Sequence, residues 1–157
     1  LNTEGGKKAK EVLNLTTGEY APEQKSKLES VEAAKDSLRA LIEHPDAGGQ
    51  YARAVLLTFL HYTTSLIPEI SDDIRSVDQA MKWGYSWKYG PFELIDRLAS
   101  KEETGAAYVA RAFKELGWSV PKILESGRPM YRAEGGALEE LTLKGDYHHL
   151  PVPKDAW

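Results

Sequence analysis

From Lys82 to Asp96 the chain reads Lys-Trp-Gly-Tyr-Ser-Trp-Lys-Tyr-Gly-Pro-Phe-Glu-Leu-Ile-Asp, which sets five aromatic side chains and a Gly-Pro turn between two helical stretches. Upstream, Ser76 is placed to cap a short helix over 77–83, with Asp78 in its first turn, Lys82 in its last and Gly84 as its stop. Downstream, Pro91 has the backbone angle of a first helical position, and Phe92, Leu94, Ile95 and Leu98 follow it as an apolar face. The segment therefore predicts a helix, a tight aromatic turn and a second helix.

Bounds on the rest come from length and charge. A chain of 157 residues suits one domain, and at this size folding buries roughly 70% of the unfolded surface. Without cysteine, disulfides, thiolate metal sites and cysteine nucleophiles are all excluded, and the expected compartment is a reducing cytoplasm. A net charge of −4, with basic and acidic residues interspersed, argues against a nucleic-acid partner. No run approaches the ~18 apolar residues of a membrane span, and the start lacks a signal peptide's apolar core. Leu1 stands where Met is expected, so the sequence reads as a piece of a longer chain.

Residues 1–20 are polar and glycine-bearing and predict an entry strand or linker. A helical domain is expected over 21–127. It opens at Pro22 with a long helix from Glu23 to Glu43, free of Gly and Pro, whose stripe is Leu28, Val31, Leu38, Leu41 and Ile42. His44-Pro45 ends it. Asp46 caps a second long helix to about Ile67, with Tyr51, Val55, Phe59, Tyr62 and Leu66 on one face and Leu56, Leu60 and Ile67 on another. A helix apolar on two sides is expected to be central. Ser100 and Glu103 match a capping box for a helix carrying Tyr108, Val109, Ala112, Phe113 and Leu116 to Gly117, and Ser119 caps a last short turn to Gly127. Over 128–157 the pattern becomes a small hairpin or meander, with strands at 130–133 and 137–143 about Gly135-Gly136, a third after Gly145, and a proline-containing tail. Such strands cannot hold a core alone, so they pack on the helices or lead to a further domain.

Candidate chemistry is sparse. His44 reads as a solvated residue at a helix C-terminus, and His61 as a core or interface histidine bonded to a carbonyl or hydroxyl. His148 and His149 would face opposite sides of a strand, which argues against a shared metal. Asp72-Asp73 reads as helix-capping rather than as a catalytic pair. No dinucleotide or triphosphate glycine loop and no nucleophile elbow occurs in the sequence. Of the turn's rings, Trp87 and Tyr89 are expected to be the most exposed, and Trp87, Tyr89 and Phe92 are the candidate substrate or interface contacts.

The residues Ser71-Asp72-Asp73-Ile74 through Ala80, then Trp-Gly-Tyr-Ser-Trp-Lys-Tyr-Gly-Pro-Phe-Glu-Leu-Ile-Asp from 83 to 96, resemble the C-terminal helical domain of the 3-hydroxyacyl-CoA dehydrogenase family. The similarity reaches back over 48–70. It implies an all-α, multi-helix domain with a small C-terminal β-hairpin extension. It also implies a parent enzyme of fatty-acid β-oxidation that oxidises 3-hydroxyacyl-CoA to 3-ketoacyl-CoA with NAD, in which this domain supplies subunit contacts and part of the acyl-CoA cleft. The His and Glu that abstract the proton, and the NAD site, lie in a preceding domain, so no catalytic, cofactor-binding or metal residue is expected here. Ala52, in Gly48-Gly49-Gln50-Tyr51-Ala52-Arg53, stands where the family carries a substrate-facing Asn. That departure favours the second, non-catalytic copy found in larger members. The implied partners are neighbouring domains of the parent chain or a second subunit in a dimer, with acyl-CoA as ligand. Two alternatives remain: an autonomous acyl-CoA-binding or protein-interaction module, and a helical domain from a dehydrogenase of another hydroxy acid.

Overall fold

The computed structural model describes residues 10–23 and 27–151; readings that fall on 1–9, 24–26 and 152–157 lie outside the described residues. Strands β1 (Glu11–Leu13) and β2 (Tyr20–Pro22) form an antiparallel hairpin, so Pro22 closes a strand rather than opening a helix.

The helix expected from Glu23 to Glu43 is instead two, α1 (Glu29–Ala33) and α2 (Leu38–Glu43). Ser37 accounts for the break. Its backbone is extended and its Oγ accepts the Ala40 N–H at 2.9 Å, an N-cap worth about 1 kcal/mol. Absence of Gly and Pro is thus no guarantee of continuity where a hydroxyl can start a new helix.

Asp46 caps α3 (Ala47–Ser65) as expected, accepting the Gly49 N–H at 2.8 Å, while its other oxygen accepts the Ser30 N–H at 3.0 Å and ties α1 to the same corner. Only one side of α3 is covered. Leu57 and Leu60 are wholly buried, whereas Tyr51, Val55 and Tyr62 are 72%, 50% and 66% exposed. The expectation of a helix buried on two faces is corrected: the elements packed on α3 bury Leu57 and Leu60 and leave Tyr51, Val55 and Tyr62 open.

The next helix, α4 (Ile74–Tyr85), is capped by Asp73 rather than Ser76; Asp73 accepts the Ser76 N–H at 2.6 Å and the Ser76 hydroxyl at 3.0 Å. A carboxylate at the N-cap satisfies the same free amide as a hydroxyl and adds favourable charge against the helix dipole. Nor does Gly84 stop the helix. The chain leaves it at Ser86, which takes the left-handed conformation with φ 55°. Pro91 opens α5 (Pro91–Asp96) as predicted. Helix α6 (Gly105–Glu115) is capped by Thr104, whose Oγ1 accepts the Ala107 N–H at 3.1 Å. Ser100 caps nothing; its hydroxyl accepts the Glu102 and Glu103 N–H groups in the preceding turn. Ser119 likewise precedes a 3-10 turn, Lys122–Leu124, that begins only after Pro121.

Strands β3 (Tyr131–Glu134), β4 (Ala137–Leu141) and β5 (Tyr147–His149) form one antiparallel sheet in sequence order. Gly135 and Gly136 join β3 to β4 with φ of 58° and 83°, the two positive angles that a two-residue turn matching the strand twist requires. The sheet has no core of its own. Met130 and Leu141 enter the main cluster made by Ile42, Leu57, Leu60, Phe92, Ile95, Leu98, Tyr108, Phe113 and Leu124. Each such side chain contributes about 1.5–3 kcal/mol by leaving water. The all-α class with a small C-terminal β-extension holds, with the extension three-stranded.

Candidate functional site

The aromatic turn divides its rings between core and surface. Phe92 is fully buried beneath α5. Trp87 packs on Phe59 of α3 with ring centroids 5.3 Å apart, and Tyr89 is half-buried under the Arg97 guanidinium, 4.2 Å from its ring centre. The most exposed rings are Trp83 and Tyr85, at 80% and 71%, not Trp87 and Tyr89. The reason is the length of α4: because it runs on through Gly84, Trp83 and Tyr85 sit on its last turn and project from the body.

Beneath the turn lie two carboxylates, Asp78 buried and Asp96 partly covered, whose roles the expectation of Asp78 as a first-turn acid did not include. Asp78, 2% exposed, accepts the Phe92 N–H at 2.8 Å, the Glu93 N–H at 3.1 Å and the Tyr131 hydroxyl at 2.8 Å. It therefore ends the free amides of α5 from a neighbouring helix and holds the sheet at the same time. Glu93 completes the junction, accepting the Gly90 N–H at 2.9 Å and pairing with Lys82 at 2.8 Å. Asp96, at the other end of α5, accepts the Met130 and Tyr131 N–H groups at 2.7 and 2.8 Å. Burial pushes both Asp78 and Asp96 up to about 6, against the lowering effect of the hydrogen bonds they accept. The same surroundings push the Tyr131 hydroxyl upward, first through burial and then through the Asp78 charge. A signal was present in the sequence: Asp78 stands one turn after Ile74 on the apolar stripe of α4, where an acid needs several donors to be tolerated.

The glycine of the Gly-Pro-Phe turn has a steric role in this clasp. A Cβ at Gly90 would overlap the Cα, Cβ and Oδ1 of Asp78. The missing side chain lets α5 begin directly against α4.

The histidines are held by local contacts. His61, partly covered, has its Nε2 3.1 Å from the Ser119 carbonyl oxygen, the carbonyl partner expected of it, and its ring meets Phe113 edge-on at 4.9 Å. His44 is half-buried rather than solvated, and its Nδ1 accepts the Asp46 N–H at 3.3 Å. His149 pairs with Glu139 at 3.1 Å. Asp73 serves as a cap and Asp72 is exposed. Ala52 is partly covered on α3, against the core. Among the described residues, no group of three or more His, Asp or Glu side chains could hold a metal ion.

A multi-helix domain with a ring-rich helix pair clasped onto a small sheet is the class that fold and site define. The chain is 33% identical over 149 residues to a Bacillus subtilis protein named as a 3-hydroxyacyl-CoA dehydrogenase, a match covering 90% of this chain and 18% of that protein. It is 39% identical over 95 residues to a Rickettsia prowazekii protein named as a fatty acid oxidation complex trifunctional enzyme, covering 60% of this chain and 12% of that one. A Rickettsia felis protein of the same name is 38% identical over 102 residues, 65% of this chain and 13% of the other. No protein-family model and no solved structure matches the chain. The resemblance carried by residues 71–96 is thus borne out: the chain is a relative of 3-hydroxyacyl-CoA dehydrogenases and fatty acid oxidation enzymes, and spans less than a fifth of the length of the curated relatives it matches.

Proposed function

We propose that this chain is an accessory helical domain of an NAD-dependent 3-hydroxyacyl-CoA dehydrogenase of fatty-acid β-oxidation, working by packing and carrying no redox chemistry itself. The observation that carries the reading is the open face of α3. Tyr51, Val55 and Tyr62 are exposed along one uncharged stripe, continued by the partly covered Phe59 and Leu66 and by Trp87 leaning on Phe59. An apolar stripe of this length suits a neighbouring domain of the parent chain or a second subunit. Ala52 in place of an amide supports the non-catalytic copy. NAD and acyl-CoA belong to the parent enzyme in this reading, which works in the cytoplasm; among the described residues no helix is long and apolar enough to cross a membrane.

Calorimetry with NAD and a hydride-transfer assay with acetoacetyl-CoA test the proposal on the isolated chain. No binding heat and no turnover are expected, and turnover by this chain alone overturns it. Light scattering across a concentration series is expected to show self-association through α3, abolished by Tyr62→Lys. A strict monomer that also fails to associate with the rest of the parent chain counts against a packing role.

A further inference from the structure

We propose that the cleft between α4, α5 and the sheet binds an oxyanion, a phosphate or carboxylate, carried on a flat or apolar body. The cleft holds about 450 Å³ and is lined by Arg75, Gln79, Tyr89, Arg97, Leu138 and Leu150 among others. Its carboxylates are occupied. Asp78 and Asp96 accept five hydrogen bonds between them from Phe92, Glu93, Met130 and Tyr131, and Glu93 is shared between Lys82 and the Gly90 amide.

The two guanidiniums are in a different position. Among the described residues neither Arg75 nor Arg97 has an ion pair, although both stand in a cleft with acids. Glu140, the acid beside Arg75, accepts that residue's backbone N–H at 3.2 Å rather than its side chain. The Arg97 guanidinium carbon lies over Tyr89, 4.2 Å from the ring centre. A cation–π contact of this kind restrains the guanidinium without using its N–H groups, none of which has a partner among the described residues, so they are available to an oxyanion. The two arginines come from different elements, α4 and the end of α5, and line the same cleft. Gln79, one turn after Arg75, adds an amide with no partner among the described residues, and Leu138 and Leu150 supply apolar contact for the ligand's body. A charge-assisted fork to an oxyanion is among the stronger polar contacts available to a protein. None of this depends on the packing role of α3.

The test is a titration of the full, isotopically labelled chain followed by NMR, with phenyl phosphate in one arm and benzoate in the other. Saturable shifts are expected at the Gln79 side-chain amide, the Gly90 amide and the Arg97 Nε–H, weakening as salt is added. Saturation by phenyl phosphate alone assigns a phosphate ligand, by benzoate alone a carboxylate, and either supports the proposal. Arg75→Gln and Arg97→Gln are each expected to weaken binding about tenfold, and Lys114→Gln, on the exposed side of α6, to leave it unchanged. If a glutamine variant does not fold, Arg97→Lys, which keeps the charge and loses the fork, is expected to weaken binding severalfold. Linear, unsaturated shifts in both arms of the unaltered chain overturn the proposal, as does equal affinity in the folded arginine variants.

Discussion

At the scale of single residues, the carboxylates decide how this chain responds to substitution and to acid. Asp78→Ala removes three hydrogen bonds from a site 2% exposed and leaves two α5 amides without partners. A loss of about 3 kcal/mol is expected in urea denaturation, and Tyr131→Phe, which removes only the hydroxyl, should cost about 1 kcal/mol. Gly90→Ala should destabilise by about 2 kcal/mol or more, because its Cβ meets the backbone and side chain of Asp78 and neither can retreat from the packed helix pair. The pH dependence has a definite sign. Asp78 and Asp96 titrate at about 6 in the folded chain against 3.8 unfolded, so the stability they contribute is complete below 3.8 and lost as pH rises through 6. Asp46 and Glu103 are shifted down, Asp46 chiefly by the Ser30 and Gly49 amides and Glu103 by Arg111, so their contribution is present above the ordinary carboxylate range and lost below it. Stability should therefore peak near pH 4 and fall from there to about pH 6, where the loss from Asp78 and Asp96 is complete. Urea midpoints measured at pH 5 and 8 check this, with the higher expected at pH 5 and the difference reduced in Asp78→Asn.

At the scale of elements, helix existence was legible and helix limits were not. The aromatic turn, Pro91 at the head of α5 and Asp46 at the head of α3 all follow from local chemistry, and the structure agrees. Three helix starts differ from the expected ones through capping. Asp73 and Thr104 cap helices where the sequence offered Ser76 and Ser100 as competing hydroxyls, and Ser37 caps a helix where a continuous one was expected. A capping side chain stabilises by about 1 kcal/mol, so which candidate wins depends on where the following turn packs. The exposed stripe of α3 gives a matched pair of predictions. Val55→Lys should change stability by no more than about 0.5 kcal/mol, whereas Leu60→Ala, on the opposite and wholly buried side, should cost about 2–5 kcal/mol. Thermal or urea unfolding of the two variants separates the covered face from the open one; a large loss at Val55 would mean that this face is already packed.

At the scale of the whole molecule, the sheet is tied to the helices by buried polar bonds as much as by apolar burial. Met130 and Leu141 enter the core, while Asp78 and Asp96 fix the start of β3 through Tyr131 and Met130. A chain cut after Gly127 would take Met130 and Leu141 out of the core and leave both carboxylates without their sheet donors. It is expected to unfold with a lower midpoint and a broader transition than the full chain, as measured by circular dichroism. Equal midpoints would show that the sheet is an appendage. Of the candidate contacts, Trp87, Tyr89 and Phe92 were legible as a group because rings so dense in a turn are unusual. That Phe92 is core, that Tyr89 is a platform for Arg97 and that Trp83 and Tyr85 are the outermost rings depends on how far α4 runs.

The sequence by itself determined the class of helical domain, the turn that joins α4 to α5 and the kinship with fatty acid oxidation enzymes, because these rest on local propensities and on residue order. Only the tertiary structure decided that α3 is covered on one side, that Asp78 and Asp96 hold the sheet, and that Arg75 and Arg97 share a cleft. Each of these joins residues well apart in the chain, and the burial and hydrogen bonding that settle them exist only once the helices have packed.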